Sequence, residues 1–205
     1  MGHRKSILES HGYTAVYEER EKYRGGPKGL LCLARRGNSE YFAFKHKGRY
    51  RRLYEVQDSI PHMARIVDLV EDVAVFEKAI GKLLWDFEIV PDLDSVERQL
   101  SEFVSACQRN ALVHGDLRPW NVFFDGKNIT VIDWDSSRFT DELVEGDELL
   151  IQLRAHGHKG ISGSDAASVD SQELALLMRV LRSEIGLNAA WCYTRFAGRP
   201  KWCLE

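Results

Sequence analysis

The chain has 205 residues, of which 44% are hydrophobic and 29% charged, enough to build a sizeable core in one compact unit. Its net charge of −3 argues against nucleic acid as the main partner. Four cysteines without metal-ligand spacing, and apolar stretches that are short and interrupted by charge, favour a cytoplasmic protein without a transmembrane segment or signal peptide.

The first eighty residues are predicted to form a β-rich unit. Aromatic and β-branched residues favour strands at 13–17, 30–34 and 41–45, with glycine-containing turns at 24–29 and 36–39 between them. A short helix is expected at 51–58, before the Ser-Ile-Pro break at 59–61. Two more strands, at 63–72 and 73–79, would complete a five-stranded sheet.

The second part of the chain is predicted to be mainly helical. Apolar residues recur at intervals of three and four through 94–107, which is typical of an amphipathic core helix. Further helices are expected at 142–156 and 170–185, with a polar, glycine-rich loop at 157–165 between them. Asp147 is a candidate for a buried carboxylate that braces the 114–121 loop.

A β-hairpin is predicted over 122–132, where two β-branched or aromatic runs flank an Asp-Gly-Lys-Asn turn at 125–128. Pairing across this turn brings Asn121, before the first strand, diagonally opposite Asp133, after the second, at roughly 7–8 Å. An amide oxygen and a carboxylate suit Mg²⁺, which takes few protein ligands and completes its shell with water and phosphate oxygens. Asp116, in the loop entering the hairpin, can reach an acceptor hydroxyl as a general base.

These residues carry a family resemblance. The run His-Gly-Asp-Leu-Arg-Pro-Trp-Asn at 114–121, followed by Ile-Asp-Trp-Asp at 132–135, resembles the catalytic and metal-binding loops of the protein-kinase-like superfamily. The His-Gly-Asp form is more similar to aminoglycoside phosphotransferases, choline-type kinases and lipopolysaccharide sugar kinases than to the His-Arg-Asp of protein kinases. The resemblance implies an α+β, two-lobed fold, with a small antiparallel β-sheet lobe at 1–80 and a mainly helical lobe at 81–205.

The resemblance also implies how the chain grips the phosphates of ATP. The run Phe-Ala-Phe-Lys at 42–45 resembles the Val-Ala-Ile-Lys of kinases, so Lys45 is the expected cation on the α- and β-phosphates. Glu55 of the short helix is its expected carboxylate partner, and Asp58 is an alternative. His114 is expected to pack on the loop rather than to act in catalysis.

Glycines and a hinge complete the implied nucleotide site. Gly26 and Gly29 match the last two glycines of the kinase phosphate-covering loop, whose backbone approaches the phosphates closely. A loop at 12–15 is an alternative cover. Glu77 and Ala79, after the fifth strand, would offer backbone groups to adenine.

Arg118 lies within the catalytic loop, and its guanidinium fork suits phosphate, so it is a candidate for neutralising the transferring phosphoryl group. A solvated loop arginine is the alternative. The segment between the hinge and His114 is too short for the large substrate-binding insert of aminoglycoside kinases, which favours an open acceptor face. The basic cluster at 45–52 is either a solvated turn or a contact for anionic lipid or sugar phosphate.

The sequence therefore predicts a kinase that uses ATP and Mg²⁺ and moves the γ-phosphate to an acceptor hydroxyl. The motifs favour a small molecule or a glycolipid or lipopolysaccharide sugar, which could lie at a membrane surface. A minimal serine/threonine protein kinase is the main alternative, and a non-catalytic kinase-like binding module is a third. Nothing in the sequence suggests nucleic acid as a partner.

Overall fold

The computed structural model describes residues 2–21, 28–45, 50–141 and 168–184, with side chains over 4–17, 32–44, 50–141 and 168–184. The helices in these residues are α1 (Gly2–Ser10), α2 (Tyr50–Val56), α3 (Leu93–Arg109) and α4 (Val169–Leu181). The strands are β1 (Thr14–Glu21), β2 (Lys28–Arg36), β3 (Ser39–Lys45), β4 (Ile66–Val70), β5 (Val73–Glu77), β6 (Lys82–Leu83), β7 (Leu112–Val113), β8 (Val122–Phe124), β9 (Ile129–Val131) and β10 (Arg138–Phe139). The predicted helix at 142–156, with Asp147, and the loop at 157–165 lie outside the described residues.

The first five strands form one antiparallel sheet in the order β1-β2-β3-β5-β4. The five predicted strands are thereby confirmed, with different bounds: β1, β2 and β3 are longer than predicted, and β4 and β5 are shorter. Strand β2 begins at Lys28, so Gly29 is a strand residue paired with Arg20 rather than part of the turn. Strand β5 is buried along four of its five residues because it lies between two neighbours, β3 and β4. Its alanine, valine and phenylalanine side chains suit that position.

Helix α1 covers one face of the sheet and was not predicted. Ile7 and Leu8 are buried against a cluster that includes Tyr13, Cys32 and Val75. The Arg4 guanidinium also donates a hydrogen bond to the carbonyl oxygen of Ala43, 3.2 Å away. With two large apolar residues in nine, this helix has too weak a periodic pattern to be recognised before its packing partner is known.

The chain leaves the sheet through a tight connection at Gly81. This glycine has φ +99°, and a Cβ atom there would lie 2.2 Å from the carbonyl oxygen of Phe124. The close approach lets β6 pair with β8, and β8 pairs in turn with β9. On the other side, β9 exchanges backbone hydrogen bonds with the 62–64 segment. The hairpin is therefore held on both edges.

The amphipathic helix α3 packs under this hairpin. It begins after Asp92, whose side chain accepts a hydrogen bond from the backbone N–H of Ser95, and it matches the predicted span at 94–107. Buried Gln99 donates to the carbonyl oxygen of Lys127 at 2.9 Å and accepts from the N–H of Ile129 at 3.0 Å. Helix α3 thereby fixes the hairpin turn.

A continuous hydrophobic cluster runs from the sheet through α2, the hairpin and α3 to Leu177 and Met178 of α4. The architecture is α+β, an antiparallel sheet followed by helices and a short hairpin, as expected. The two-lobed arrangement and the division near residue 80 stay predictions. None of the helices in the described ranges is long and apolar enough to cross a bilayer.

Candidate active site

The hairpin brings the two candidate magnesium ligands to its open end. Its register pairs Phe124 with Ile129, as predicted, and the N–H of Ile132 donates to the carbonyl oxygen of Asn121 at 2.8 Å. Asp133 follows directly, with φ +65° and ψ +70°. This left-handed conformation is uncommon outside glycine, and such backbone strain concentrates at functional sites.

Asn121 is oriented by Asp116. Its amide nitrogen donates to the Asp116 carbonyl oxygen at 2.9 Å and to the Asp116 carboxylate at 3.1 Å. Both residues are buried, at 3% and 8% exposure. With the nitrogen committed to Asp116, the amide oxygen is the atom that Asn121 can present to a cation.

His114 supports the loop that carries Asp116 from the protein interior. Its ring is fully buried, in edge-to-face contact with Trp134 at 4.7 Å between centroids. Its Nε2 lies 3.0 Å from the carbonyl oxygen of Ile132, and its Nδ1 accepts from the N–H of Asp116 at 3.3 Å. These bonds fit a neutral ring protonated on Nε2. His114 thus links the loop of Asp116 to the segment of Asp133.

Two carboxylates of helix α4 hold the backbone of the same loop. Asp170 accepts from the N–H groups of His114, at 2.7 Å, and Gly115, at 2.9 Å. Glu173, three residues further along the helix, accepts from the N–H of Leu117 at 2.7 Å. The N–H groups of the four consecutive residues 114–117 therefore all end on side chains, three of them on carboxylates of α4 and that of Asp116 on the ring of His114.

Asp170 is fully buried, and burial raises the pKa of its carboxyl to about 7, with the negative charge of Glu173 as a further cause. The two backbone hydrogen bonds act in the opposite direction. Neither Asp170 nor Glu173 was identified from the sequence. The only local signal is an acidic pair at positions i and i+3, which place both side chains on one helix face.

Arg118 lies inside the loop rather than at its surface. Its side chain is 2% exposed, its Nε donates to Asp116 at 3.0 Å and its NH2 group donates to Glu173 at 3.1 Å. The guanidinium fork therefore contacts two carboxylates in this structure. Neutralisation of a phosphoryl group by Arg118 stays a prediction.

The short helix α2 contacts the segment that follows Asp133 through its first residue. The Tyr50 hydroxyl donates to the carboxylate of Asp135 at 2.5 Å. Arg52 forms two bonds of 2.7 Å to Asp141, and this guanidinium lowers the pKa of the Asp141 carboxyl. Glu55 lies on the exposed side of the helix, and the Lys45 side chain is outside the described part, so their pairing stays a prediction.

Those of the remaining predicted nucleotide residues that the structure describes lie in the sheet and just after it. Gly26 lies outside the described residues, and Gly29 belongs to β2. Glu77 ends β5, and its N–H donates to the carbonyl oxygen of Arg65 at 2.8 Å, so this group cannot donate to adenine. Ala79 is half-buried against the core beyond the strand. Their contacts with adenine stay predictions.

A small pocket separates the sheet from the Asp133 segment. It is lined by Phe42, Phe44, Ala64, Phe76, Ile132, Asp133 and Trp134. The half-exposed carboxylate of Asp133 at the edge of this pocket is a ligand type that suits a hard cation which keeps most of its shell as water and phosphate. Among the described residues, no cluster of three or more His, Cys, Asp or Glu side chains could hold a metal alone.

An antiparallel sheet, a hairpin and a braced loop with Asp, Asn and Asp in this order are the arrangement expected of a kinase-like phosphotransferase. Residues 60–145 match the profile of the phosphotransferase enzyme family, APH, over less than half of the chain. This match contains Asp116, Asn121 and Asp133 and confirms the resemblance to that branch of the protein-kinase-like superfamily. Among curated proteins, none matches the chain.

Proposed function

We propose that this chain is a kinase that transfers the γ-phosphoryl group of Mg-ATP to the hydroxyl of a small molecule or of a glycolipid or lipopolysaccharide sugar. The family match supports phosphotransferase activity. The observation that carries the proposed transfer to a hydroxyl is the Asp116 carboxylate, which is held by Arg118 on one oxygen and by Asn121 on the other. A carboxylate fixed in this way can accept a proton in a defined direction.

In the proposed reaction, Asp116 orients the acceptor hydroxyl and takes its proton as the acceptor oxygen bonds to the γ-phosphorus. The bond between that phosphorus and the bridging oxygen of ADP breaks in line with the new one. Asn121 and Asp133 would hold Mg²⁺, which when bound supplies positive charge against the phosphate oxygens. The nucleotide would be bound by Lys45, with Glu55 as its partner, by Gly26 with Gly29, and by the carbonyl oxygen of Glu77 and the backbone of Ala79. The proposal includes two lobes, at 1–80 and 81–205, and a cytoplasmic location.

A protein hydroxyl is the second candidate acceptor. Residues 78–111 are all described, and they contain α3, the two-residue β6 and one short 3-10 turn at Leu84–Asp86. Such a short connection leaves no room for a substrate-binding helical insert. An acceptor face without an insert also suits a large substrate, which favours a serine/threonine side chain as the alternative to a sugar hydroxyl.

The test is transfer of label from γ-labelled Mg-ATP into a cell extract, followed by separation into lipid, protein and soluble fractions. Asp116→Asn should lower transfer by about 10²–10⁴-fold, since general-base contributions are of that size. Asp125→Asn is the matched control, because Asp125 caps the exposed hairpin turn and Asn serves equally well there. The labelled fraction identifies the acceptor class. Equal transfer by Asp116→Asn and the wild type would refute the proposal and favour a binding module.

A further inference from the structure

Arg118 and Glu173 form a chain of contacts that ends on the proposed general base. Glu173 spans the loop with its two oxygens: one accepts from the Leu117 N–H at 2.7 Å, and the other accepts from Arg118 at 3.1 Å. Arg118 then donates through Nε to Oδ1 of Asp116 at 3.0 Å. The three side chains are 13%, 2% and 11% exposed, so water screens these contacts little.

This geometry gives the two ends of the guanidinium different tasks. Nε and one terminal nitrogen lie on different carboxylates, so Arg118 cannot rotate toward either one without lengthening the other bond. Guanidinium is planar and rigid, which makes it an effective spacer between two fixed acceptors. Glu173 in turn is fixed by its bond to the Leu117 backbone and by its place on α4. The direction of the Asp116 carboxylate is therefore set from helix α4.

The other Asp116 oxygen is fixed separately by Asn121, at 3.1 Å. With both oxygens restrained, rotation of the carboxylate about its terminal bond is blocked. A reacting group must be held to within a fraction of an ångström, and a shift of about 1 Å can cost on the order of 10²-fold in rate. Removing the Glu173 charge would let the Arg118 guanidinium move, and Oδ1 of Asp116 would then no longer be held in place.

We infer that Glu173 is a positioning residue of the active site, which acts through Arg118 to aim the carboxylate of Asp116 at the acceptor hydroxyl. The inference rests on the proposed phosphotransfer. It adds to the proposed active site one residue that lies 57 positions after Asp116 in the sequence. It also gives Arg118 a defined task, which differs from direct contact with the phosphoryl group. Glu173 touches no reacting atom, so its loss should lower kcat and leave nucleotide affinity unchanged.

The experiment uses phosphate release from Mg-ATP, with water as the acceptor, and Mg-ATP affinity by titration calorimetry. The variants are Glu173→Gln, Arg118→Lys and the double variant. Each single change should lower kcat by about 10–100-fold without changing Mg-ATP affinity. The double variant should be no slower than the slower single variant, because both changes break one chain of contacts. Glu184→Gln is the matched control: Glu184 follows the same helix, is exposed and pairs only loosely with Arg179, at 3.7 Å.

The outcomes separate this role from simple support of the fold. If kcat and affinity fall together, or if the two effects multiply in the double variant, Glu173 does not act through Arg118 and the inference is overturned. If Glu173→Gln does not fold, Arg118→Lys carries the test through the same split between kcat and affinity. Wild-type turnover in Glu173→Gln overturns the positioning role alone. A wild type that neither releases phosphate nor labels the cell extract overturns the proposed function and this role with it, whereas for a wild type that only labels the extract the same comparison of kcat is made on label transfer.

Discussion

Asp170 makes the stability of the protein depend on pH in a direction unusual for a carboxylate. Its folded pKa lies at about 7, against 3.8 for an ordinary aspartate, mainly because the side chain is fully buried. Between these values the folded chain keeps a proton that the unfolded chain has released. Stability should therefore fall as the pH rises from about 4 to about 7 and should level off above that, with a total change on the order of 4 kcal/mol.

The test compares the wild type with Asp170→Asn. Urea unfolding at pH 5, 6, 7 and 8, followed by circular dichroism, should show the wild type losing about 3 kcal/mol relative to the variant across this range. At pH 5 the variant should be less stable by about 1–3 kcal/mol, because Asn offers one acceptor oxygen where two buried N–H groups need partners. If the free energies of unfolding of the two proteins changed in parallel with pH, the reasoning would be refuted. Asp170 would then be ionised in the folded state, and the two backbone hydrogen bonds would outweigh the effect of burial on its pKa.

Two further changes and one labelling experiment test other parts of the structure. Asp133→Asn should abolish the Mg²⁺ dependence of ATP binding measured by calorimetry. Because asparagine tolerates the left-handed backbone at this position, the circular dichroism spectrum should stay that of the wild type. Unchanged Mg²⁺ dependence would exclude Asp133 as a ligand. Gln99→Met should lower the free energy of unfolding by about 1–3 kcal/mol because it leaves the buried N–H of Ile129 without its acceptor, whereas Gln108→Met on the exposed side of the same helix should have little effect. Cys107 is fully buried with a pKa raised well above its usual value, so peptide mapping should find it alkylated only after unfolding; labelling of the native protein would contradict this.

Local signals in the sequence predicted the hairpin and its neighbours well. The Asp-Gly-Lys-Asn turn forms because Asp125 accepts from the N–H groups of residues 127 and 128, contacts that span at most three residues. Helix α3 follows from its own apolar periodicity. Helix α4 begins one residue before the predicted start and ends at Leu181, four residues before the predicted end. Such features need no knowledge of the rest of the chain.

The support of the active site could not be predicted in the same way. Asp170 and Glu173 act on residues 55 or 56 positions away, and nothing near them in the sequence distinguishes them from exposed acidic residues on a helix. Arg118 illustrates a second limit, because a guanidinium suits phosphate and carboxylate equally and only the fold decides which one it meets. Helix α1 shows a third limit, because its two buried residues, Ile7 and Leu8, can be recognised as core residues only when the sheet against which they pack is known.

The dependence of the loop on helix α4 has a consequence for how the protein reaches its active form. The loop at 114–118 takes its N–H partners from a helix that is synthesised more than fifty residues later, and closing so long a loop costs entropy before any contact forms. The strand pairs of the five-stranded sheet and the two arms of the hairpin join residues at most 36 positions apart and can form earlier. The proposed general base, Asp116, would then reach its final orientation only after α4 docks. A nascent chain would in this way form the sheet, where nucleotide binding is proposed, before Arg118 and Glu173 fix the direction of the Asp116 carboxylate.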